Sequence, residues 1–189
     1  DNAVPASAVV HPKVWPAYYT TGALSTLSGT AADETNTVVS PVKASILQVN
    51  TTKYFNGTDF TTVAEYVLSG AFVGASSGTW TYYDADLEGG SGWTHGDYYK
   101  VRCWAKDTTG NEQSTNSITS NQFLYDVKPP SSTVQKPLGG NQSYNASDLV
   151  TISGTASDNV DGKANAGIAD NTKIYVSLCK TTGPDLFTP

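Results

Sequence analysis

An internal repeat constrains the fold of this chain more than any other feature of its sequence. Segment 1–33 matches segment 126–158 without a gap, so each matched pair is separated by 126 − 1 = 125 positions. The matched residues of the first segment are Asp1, Pro5, Ser7, Val9, Pro12, Leu24, Thr26, Ser28, Gly29, Thr30, Ala31 and Asp33. After a loop that is longer in the second copy, Lys43, Thr51 and Thr52 match Lys173, Thr181 and Thr182. We therefore expect one complete copy, 1–125, and the first half of a second, 126–189.

Each copy shows the period-two alternation of apolar and polar residues that is typical of β-strands. In the clearest run, 97–107, Tyr99, Val101, Cys103 and Ala105 are predicted to face inward, and Lys100, Arg102, Trp104 and Lys106 outward. The other runs are 7–10, 24–29, 42–49, 63–68, 79–83 and 118–125. Turn-forming Gly and Asn residues separate the runs. About seven short strands and no sustained helical period predict an all-β fold, a β-sandwich.

Composition limits the classes of partner. Hydrophobic residues make up 38% of the chain and charged residues only 15%, with Ser and Thr supplying much of the polarity. This mixture favours an extracellular protein. The net charge of -6 argues against a nucleic-acid or anionic-membrane partner, and no run is long enough for an apolar membrane span. Because the chain lacks Met and begins at Asp1, we expect it to be a processed piece or a fragment.

Several motifs in a fixed order resemble the bacterial Ig-like repeats that occur in tandem in large secreted and cell-surface proteins. They are Leu-Ser-Gly-Thr-Ala-Ala-Asp (27–33), Tyr-Phe-Asn-Gly-Thr-Asp-Phe (54–60), Gly-Thr-Trp-Thr-Tyr (78–82), Gly-Asp-Tyr-Tyr-Lys-Val-Arg (96–102) and Ala-Lys-Asp-Thr-Thr-Gly-Asn-Glu (105–112). The resemblance implies an Ig-like sandwich of about seven strands whose last two strands are joined by the Asp-Thr-Thr-Gly-Asn turn. The Gly-Ser-rich stretch 89–92 with Trp93 departs from the pattern, because it is longer than the usual loop.

These motif residues have structural interpretations. Tyr99 lies where Ig-type sandwiches place a tyrosine whose hydroxyl fixes a loop corner. Trp80 and Tyr82 are predicted to be core residues, because burial of an aromatic ring stabilises the fold. Gly29 and Gly154, at matching positions, are expected at a strand end or a bulge. Cys103 is predicted to be a small buried hydrophobe.

Catalysis has little support in the sequence, and we expect a protein that is not an enzyme. The two histidines are His11 and His95, and no nucleophile elbow, zinc-protease, P-loop or Cys-x-x-Cys motif is present. The acidic residues at 84, 86 and 88 are interpreted as solvated loop carboxylates. Cys103 and Cys179 belong to different copies, so a disulfide between them is not expected. Two interpretations of Cys179 are open: a covered residue, or an exposed thiol that could link chains.

Calcium is the one metal that the residue pattern suggests, although no cofactor is required. Loops at one pole of an Ig-type sandwich could bring together Asp1, Asp33, Glu34, Asp107 and Asn111, and hard oxygen ligands suit Ca²⁺. The second copy offers Asp126, Asp158 and Asp161 at the junction between the copies. The alternative is that these residues cap turns, as Asp and Asn often do.

The sequence therefore predicts a non-catalytic structural module of an extracellular or surface-displayed bacterial repeat protein: a stalk, fibre or adhesin spacer. Its partners would be neighbouring repeats, or identical subunits that complete the second copy by sharing strands in a fibre. One alternative is a carbohydrate-binding module that stacks Trp93, Trp104 and Tyr98 on cell-surface glycans. Another is an accessory domain of a secreted hydrolase. Four glycosylation sequons occur, at Asn50, Asn56, Asn141 and Asn145.

Overall fold

A computed structural model describes residues 2–20, 22–35, 37–88, 92–114, 117–140, 143–145, 147–158, 162–168 and 174–178. The described part of the chain is all-β apart from one short helix, α1 (Ala85–Glu88). None of its helices is long and apolar enough to cross a membrane. The chain divides into two compact units, which are Asp1–Pro129 with Asn159–Ala166 and Pro130–Asp158 with Gly167–Pro189.

The described residues of the first unit form ten strands. They are β1 (Ala6–His11), β2 (Tyr18–Tyr19), β3 (Thr26–Ala32), β4 (Val38–Gln48), β5 (Lys53–Phe55), β6 (Phe60–Thr62), β7 (Leu68–Gly74), β8 (Ser77–Tyr83), β9 (Tyr98–Asp107) and β10 (Ser120–Tyr125). Their order across the sheet is β1-β3-β8-β7-β4-β9-β10-β2, and the β5-β6 pair is attached to β4.

This sheet is continuous but curled, and β7 makes the connection between its two halves. Residues 68–70 of β7 pair with β4, whereas residues 71–74 pair with β8. The curl brings β1 against β9, where the Ser7 hydroxyl donates a hydrogen bond of 3.1 Å to the backbone carbonyl of Cys103. The two halves of one sheet therefore enclose the core between them.

Aromatic and aliphatic side chains from both halves fill this core. The fully buried members with the largest side chains are Trp80, Tyr99, Phe55, Phe123, Leu24, Leu27, Ile46 and Leu87. The Tyr99 and Phe123 rings are stacked, with centroids 5.6 Å apart and an interplanar angle of 22°. Aromatic burial of this kind stabilises the fold by a few kcal/mol per ring, as an order of magnitude.

The alternation in β9 has the predicted direction. Tyr99, Val101, Cys103 and Ala105 are buried, as the sequence predicts. Trp80 is also buried in the core. Tyr82 is partly buried and packs against it.

One predicted strand is wrong. We expected a strand over 63–68, but only its last residue belongs to one, because β7 begins at Leu68. Val63 and Val67 are exposed, and Leu68 is the one apolar residue of this segment that is buried in the core. Three short elements had no prediction: β2, with two residues, the β5-β6 pair, and α1, where the sequence predicts a loop.

Among its described residues, the second unit has one strand pair, β11 (Ser131–Lys136) and β12 (Ser153–Ser157). Its register equals that of β1 and β3 at an offset of 125: Val134 pairs with Gly154 as Val9 pairs with Gly29. Both pairs have a register shift at the next position, between Val9 and His11 and between Val134 and Lys136. The repeat in the sequence is thus accompanied by a repeat in strand pairing.

A glycine is required at both of these positions. A Cβ atom on Gly29 would lie 2.0 Å from the Ala8 carbonyl oxygen, and one on Gly154 would lie 2.2 Å from the Thr133 carbonyl oxygen. Neither position has room for a side chain. The two glycines therefore lie next to a bulge, where the backbones approach most closely.

Candidate functional site

Three aromatic side chains near the surface of the first unit contact one another. The Trp15 ring lies 5.6 Å from the Tyr18 ring and 5.3 Å from the Tyr98 ring, centroid to centroid. The interplanar angles are 65° and 61°, so the rings meet edge to face. Trp15 is 41% exposed and Tyr18 is 45% exposed. We call these three residues the aromatic platform.

Strand pairing places the platform tyrosines on one face of the sheet. Leu124 of β10 pairs with Tyr18 of β2 on one side and with Tyr98 of β9 on the other. Since paired residues on neighbouring strands point to the same face, the two tyrosines flank Leu124. The Asn50 side-chain oxygen accepts a hydrogen bond of 2.8 Å from the backbone N–H of Tyr98, which fixes the start of β9.

The sequence identified only one member of this platform. Tyr98 was a candidate for glycan stacking, whereas Trp15 and Tyr18 were not. A comparison of the two copies could have identified the other two residues. At the positions of Trp15 and Tyr18 the second copy has Gly140 and Ser143. The two residues thus stand out as features that one copy has and the other lacks.

The other two glycan candidates are not exposed. Trp93 is 6% exposed and belongs to the core. Its ring lies 4.7 Å from that of Tyr99, and its Nε1 donates to the Leu87 carbonyl at 3.1 Å. The loop position of Trp93 therefore does not present its ring to solvent, since the chain folds this ring inward to fill the core.

Trp104 is only 8% exposed, so the exposed position that we expected for it is wrong. It lies outside the main core cluster, but its Nε1 donates to Glu112 Oε1 at 2.9 Å. The same carboxylate oxygen accepts from Lys43 Nζ at 2.7 Å. These contacts lower the pKa of Glu112, the hydrogen bond from Lys43 contributing most. A local polar cluster thus holds Trp104, which has no open face for a stacking ligand.

Tyr99 occupies the corner position that the sequence predicts. Its hydroxyl accepts a hydrogen bond of 2.7 Å from the backbone N–H of Thr94, five residues earlier. Gln48 Nε2 lies 3.4 Å from the same hydroxyl and also donates to Asp97. Burial raises the pKa of Tyr99 to about 12. The hydroxyl therefore stays protonated at neutral pH and serves to hold the corner.

The Asp107 turn brings two of the predicted metal ligands together. Asp107 is buried, its Oδ1 accepts from the backbone N–H of Asn111 at 2.8 Å, and its Oδ2 accepts from Asn111 Nδ2 at 2.8 Å. The Thr109 hydroxyl lies within 3.0 Å of both oxygens. Burial on its own raises the pKa of Asp107, but these hydrogen bonds outweigh it and lower the pKa below its usual value. The carboxylate caps its own turn.

The other acidic candidates of the first unit make separate contacts. Asp33 Oδ1 accepts from the backbone N–H of Thr35 at 2.9 Å, a turn-capping contact. Glu34 is exposed, and Asp1 is outside the described residues. Asp126 Oδ1 lies 3.2 Å from His95 Nδ1, and its Oδ2 accepts from the backbone N–H of Ala166 at 2.6 Å.

The calcium hypothesis remains a prediction. In the second unit, Asp158 is buried and its Oδ1 has no hydrogen-bond partner among the described residues, whereas Asp161 lies outside them. Within the described ranges, no group of three or more His, Cys, Asp or Glu side chains is placed to hold a metal ion.

The sequons and cysteines are only partly within the described residues. The Asn50 oxygen is bonded to Tyr98, and the Asn56 and Asn145 oxygens accept backbone N–H bonds from residues two positions later. Asn141 and Cys179 lie outside the described residues. Cys103 is buried, as the sequence predicts, and burial raises the pKa of its thiol. It is a free cysteine.

No protein-family model matches the chain, and no curated protein matches it significantly.

Proposed function

We propose that this chain consists of Ig-like sandwich units in series and acts as a non-catalytic structural module of an extracellular or surface-displayed bacterial repeat protein. The observation that carries the proposal is the pairing of β11 with β12 in the register of β1 with β3, at the offset of the sequence repeat. A second unit that starts with the same strand pair, the same bulge and the same glycine favours two copies of one fold.

Strand order supports the Ig-like assignment of the first unit. Ig constant-type sandwiches have strands A, B, E and D on one sheet and C, F and G on the other. The order β1-β3-β8-β7 followed by β4-β9-β10 is the same series when the strands are lettered along the chain, with β2, β5 and β6 as additions. The Tyr99 contact to the backbone of Thr94 corresponds to the tyrosine corner of such sandwiches.

A further hydrogen bond of the first copy recurs in the second. The Tyr19 hydroxyl accepts from the backbone N–H of Lys13 at 2.7 Å, and the Tyr144 hydroxyl accepts from that of Leu138 at 2.7 Å. Both residues of the first pair precede those of the second by 125 positions. The same hydrogen bond therefore follows the first strand of each copy.

In this proposal the second unit needs further strands. Val9 is 7% exposed in the first unit, whereas the matching Val134 is 65% exposed in the second. Val176 is also exposed, although Ile46, its match at the later offset of 176 − 46 = 130, is buried. The core face of β1 and β3 is covered in the first unit by residues of β8, β9 and β10, such as Trp80 and Tyr99. In this proposal, strands with the apolar pattern of β7 to β10 would cover this face of the second unit.

A hybrid chain tests the proposal with the protein's own sequence. Residues 60–125, which carry β7 to β10, are added after Pro189, so that the second copy gains the second half of the first. We expect slower amide exchange in β11 and β12 and an additional cooperative unfolding transition. The control hybrid carries Ser in place of Trp80 and Tyr99 in the added segment only, and it should give neither effect.

One result would count against the proposal, and another would change how the second unit is completed. Equal exchange rates for β11 and β12 in the hybrid and the parent chain would show that the second unit is not half of such a sandwich. Filaments of the parent chain that grow with concentration in light scattering would instead indicate that identical subunits share strands.

A further inference from the structure

We propose that the aromatic platform of Trp15, Tyr18 and Tyr98 binds the apolar face of a neutral sugar ring in a glycan. This adds a binding role to the structural role proposed above and does not depend on it, because all three residues lie in the first unit. The edge-to-face contacts of Trp15 with both tyrosines hold its ring in place while leaving it partly open to solvent. A pre-positioned ring of this kind loses little conformational entropy when a flat ligand binds.

The size of the platform favours a small ligand. An aromatic side chain offers about 150–250 Å², so the exposed fractions of Trp15 and Tyr18, 41% and 45%, present roughly 130–210 Å² together. A stable protein interface needs about 800 Å² on each partner. Even with the half-buried Tyr98 added, the platform covers only a small part of that area. It suits one or two rings of a chain-like ligand.

The net charge of the chain favours an uncharged ligand among the flat molecules that stack on aromatic rings. Nucleic-acid bases stack well, but their phosphates need a basic surface, and this chain has a net charge of -6. The same net charge disfavours an anionic membrane. A pyranose ring without acidic groups has an apolar C–H face for stacking and carries no charge to be repelled.

The internal repeat indicates that a contact within this loop does not need these side chains. The hydrogen bond from Lys13 to Tyr19 recurs in the second copy as the bond from Leu138 to Tyr144. At the positions of Trp15 and Tyr18 the second copy has Gly140 and Ser143. Because this contact forms without the large rings, it gives no structural reason to keep two of them partly exposed in water.

Affinity electrophoresis of the full chain tests the proposal. The probes are four neutral polysaccharides cast in the gels: mixed-linkage β-glucan, unsubstituted xylan, galactomannan and glycol chitin. We expect at least one to retard the wild-type chain, and the Trp15→Gly, Tyr18→Ser double variant to lose at least about tenfold in affinity, or about 1.4 kcal/mol. This variant introduces only the residues that the second copy already has. Tyr83→Ser, which removes an exposed tyrosine of β8, is the matched control and should bind like the wild type.

Fluorescence provides a second measurement that needs no variant. Trp15 is exposed, whereas Trp80, Trp93 and Trp104 are buried, so iodide should quench mainly Trp15. The retarding polysaccharide should protect it from this quenching. Three results overturn the proposal: no retardation of the wild type by any of the four polymers, equal affinity of the double variant, or unchanged iodide quenching with the polymer. Self-association that the double variant abolishes would also overturn it, and would assign the platform to a second copy of the chain.

Discussion

The hydroxyl of Tyr99 accepts a 2.7 Å hydrogen bond from the backbone N–H of Thr94. The bond ties the start of β9 to the loop before it, within a fully buried aromatic cluster. Tyr99→Phe keeps the ring but leaves the Thr94 N–H without its acceptor. We expect a loss of about 1–3 kcal/mol in the free energy of unfolding, measured by urea denaturation.

Tyr83→Phe is the control for this substitution. The Tyr83 hydroxyl also makes a hydrogen bond, to Glu88 Oε2 at 2.7 Å, but the side chain is exposed. Water can replace the lost partner there, so we expect a change within about 0.5 kcal/mol. If the two substitutions lowered the free energy of unfolding equally, the Tyr99 hydroxyl would not hold the corner.

Gly29→Ala should be strongly destabilising. The added Cβ would lie 2.0 Å from the Ala8 carbonyl oxygen and 2.4 Å from Trp80 Nε1, which neither the paired strand nor the packed ring can accommodate. We expect a loss of about 2 kcal/mol or more in urea denaturation. Gly139→Ala is the control, because a Cβ there has no neighbour within 4 Å. If Gly29→Ala left the free energy of unfolding unchanged, β1 and β3 would not be paired in this register.

The Asp107 turn should make stability depend on pH. Because the pKa of the carboxyl is lowered in the folded protein, its contribution is present above the unfolded pKa and is lost as the pH falls through the folded pKa. The difference in unfolding free energy between the wild type and Asp107→Asn should therefore be larger at about pH 7 than at about pH 2. A difference that is the same at both values would contradict a role for the charged form.

Metal removal tests the calcium prediction. In the first unit, both oxygens of Asp107 already accept hydrogen bonds from Asn111, and Asp33 caps its own turn. The hydrogen bonds within these turns favour a melting temperature of the full chain, measured by calorimetry, that neither EDTA nor added Ca²⁺ changes. If calcium binds the folded chain, added Ca²⁺ should raise the melting temperature and EDTA should reverse the rise, because a ligand that binds only the folded state stabilises it.

Alternation in the sequence predicted the burial of β9 well, since the side-chain period of a strand is fixed by its geometry. It could not predict what lies over each face. Trp104 is on the side opposite Cys103, as expected, but it is covered through Glu112 and Lys43, which come from other segments. Contacts between distant segments leave no period in the sequence.

The aromatic platform escaped sequence analysis for a related reason. Tyr18 lies in a strand of two residues, too short to show alternation, and Trp15 lies in no strand. Their proximity to Tyr98 follows from the parallel pairing of β2 with β10, which joins segments more than 100 positions apart. Comparison of the two copies could have singled out both residues, but it could not have located the third.

The parallel pairing of β2 with β10 also has a mechanical consequence. The Leu124 and Asp126 N–H groups donate to the Ala17 and Tyr19 carbonyls at 3.0 and 2.9 Å. If units in series carry a load, tension that reaches β2 from the N-terminal side and β10 from the C-terminal side slides the two strands lengthwise past each other. Both bonds are then strained at once and must rupture together, whereas a peeled hairpin opens one bond at a time. In single-molecule stretching we expect a high force peak, which Leu124→Pro should lower because proline lacks the N–H that donates to the Ala17 carbonyl.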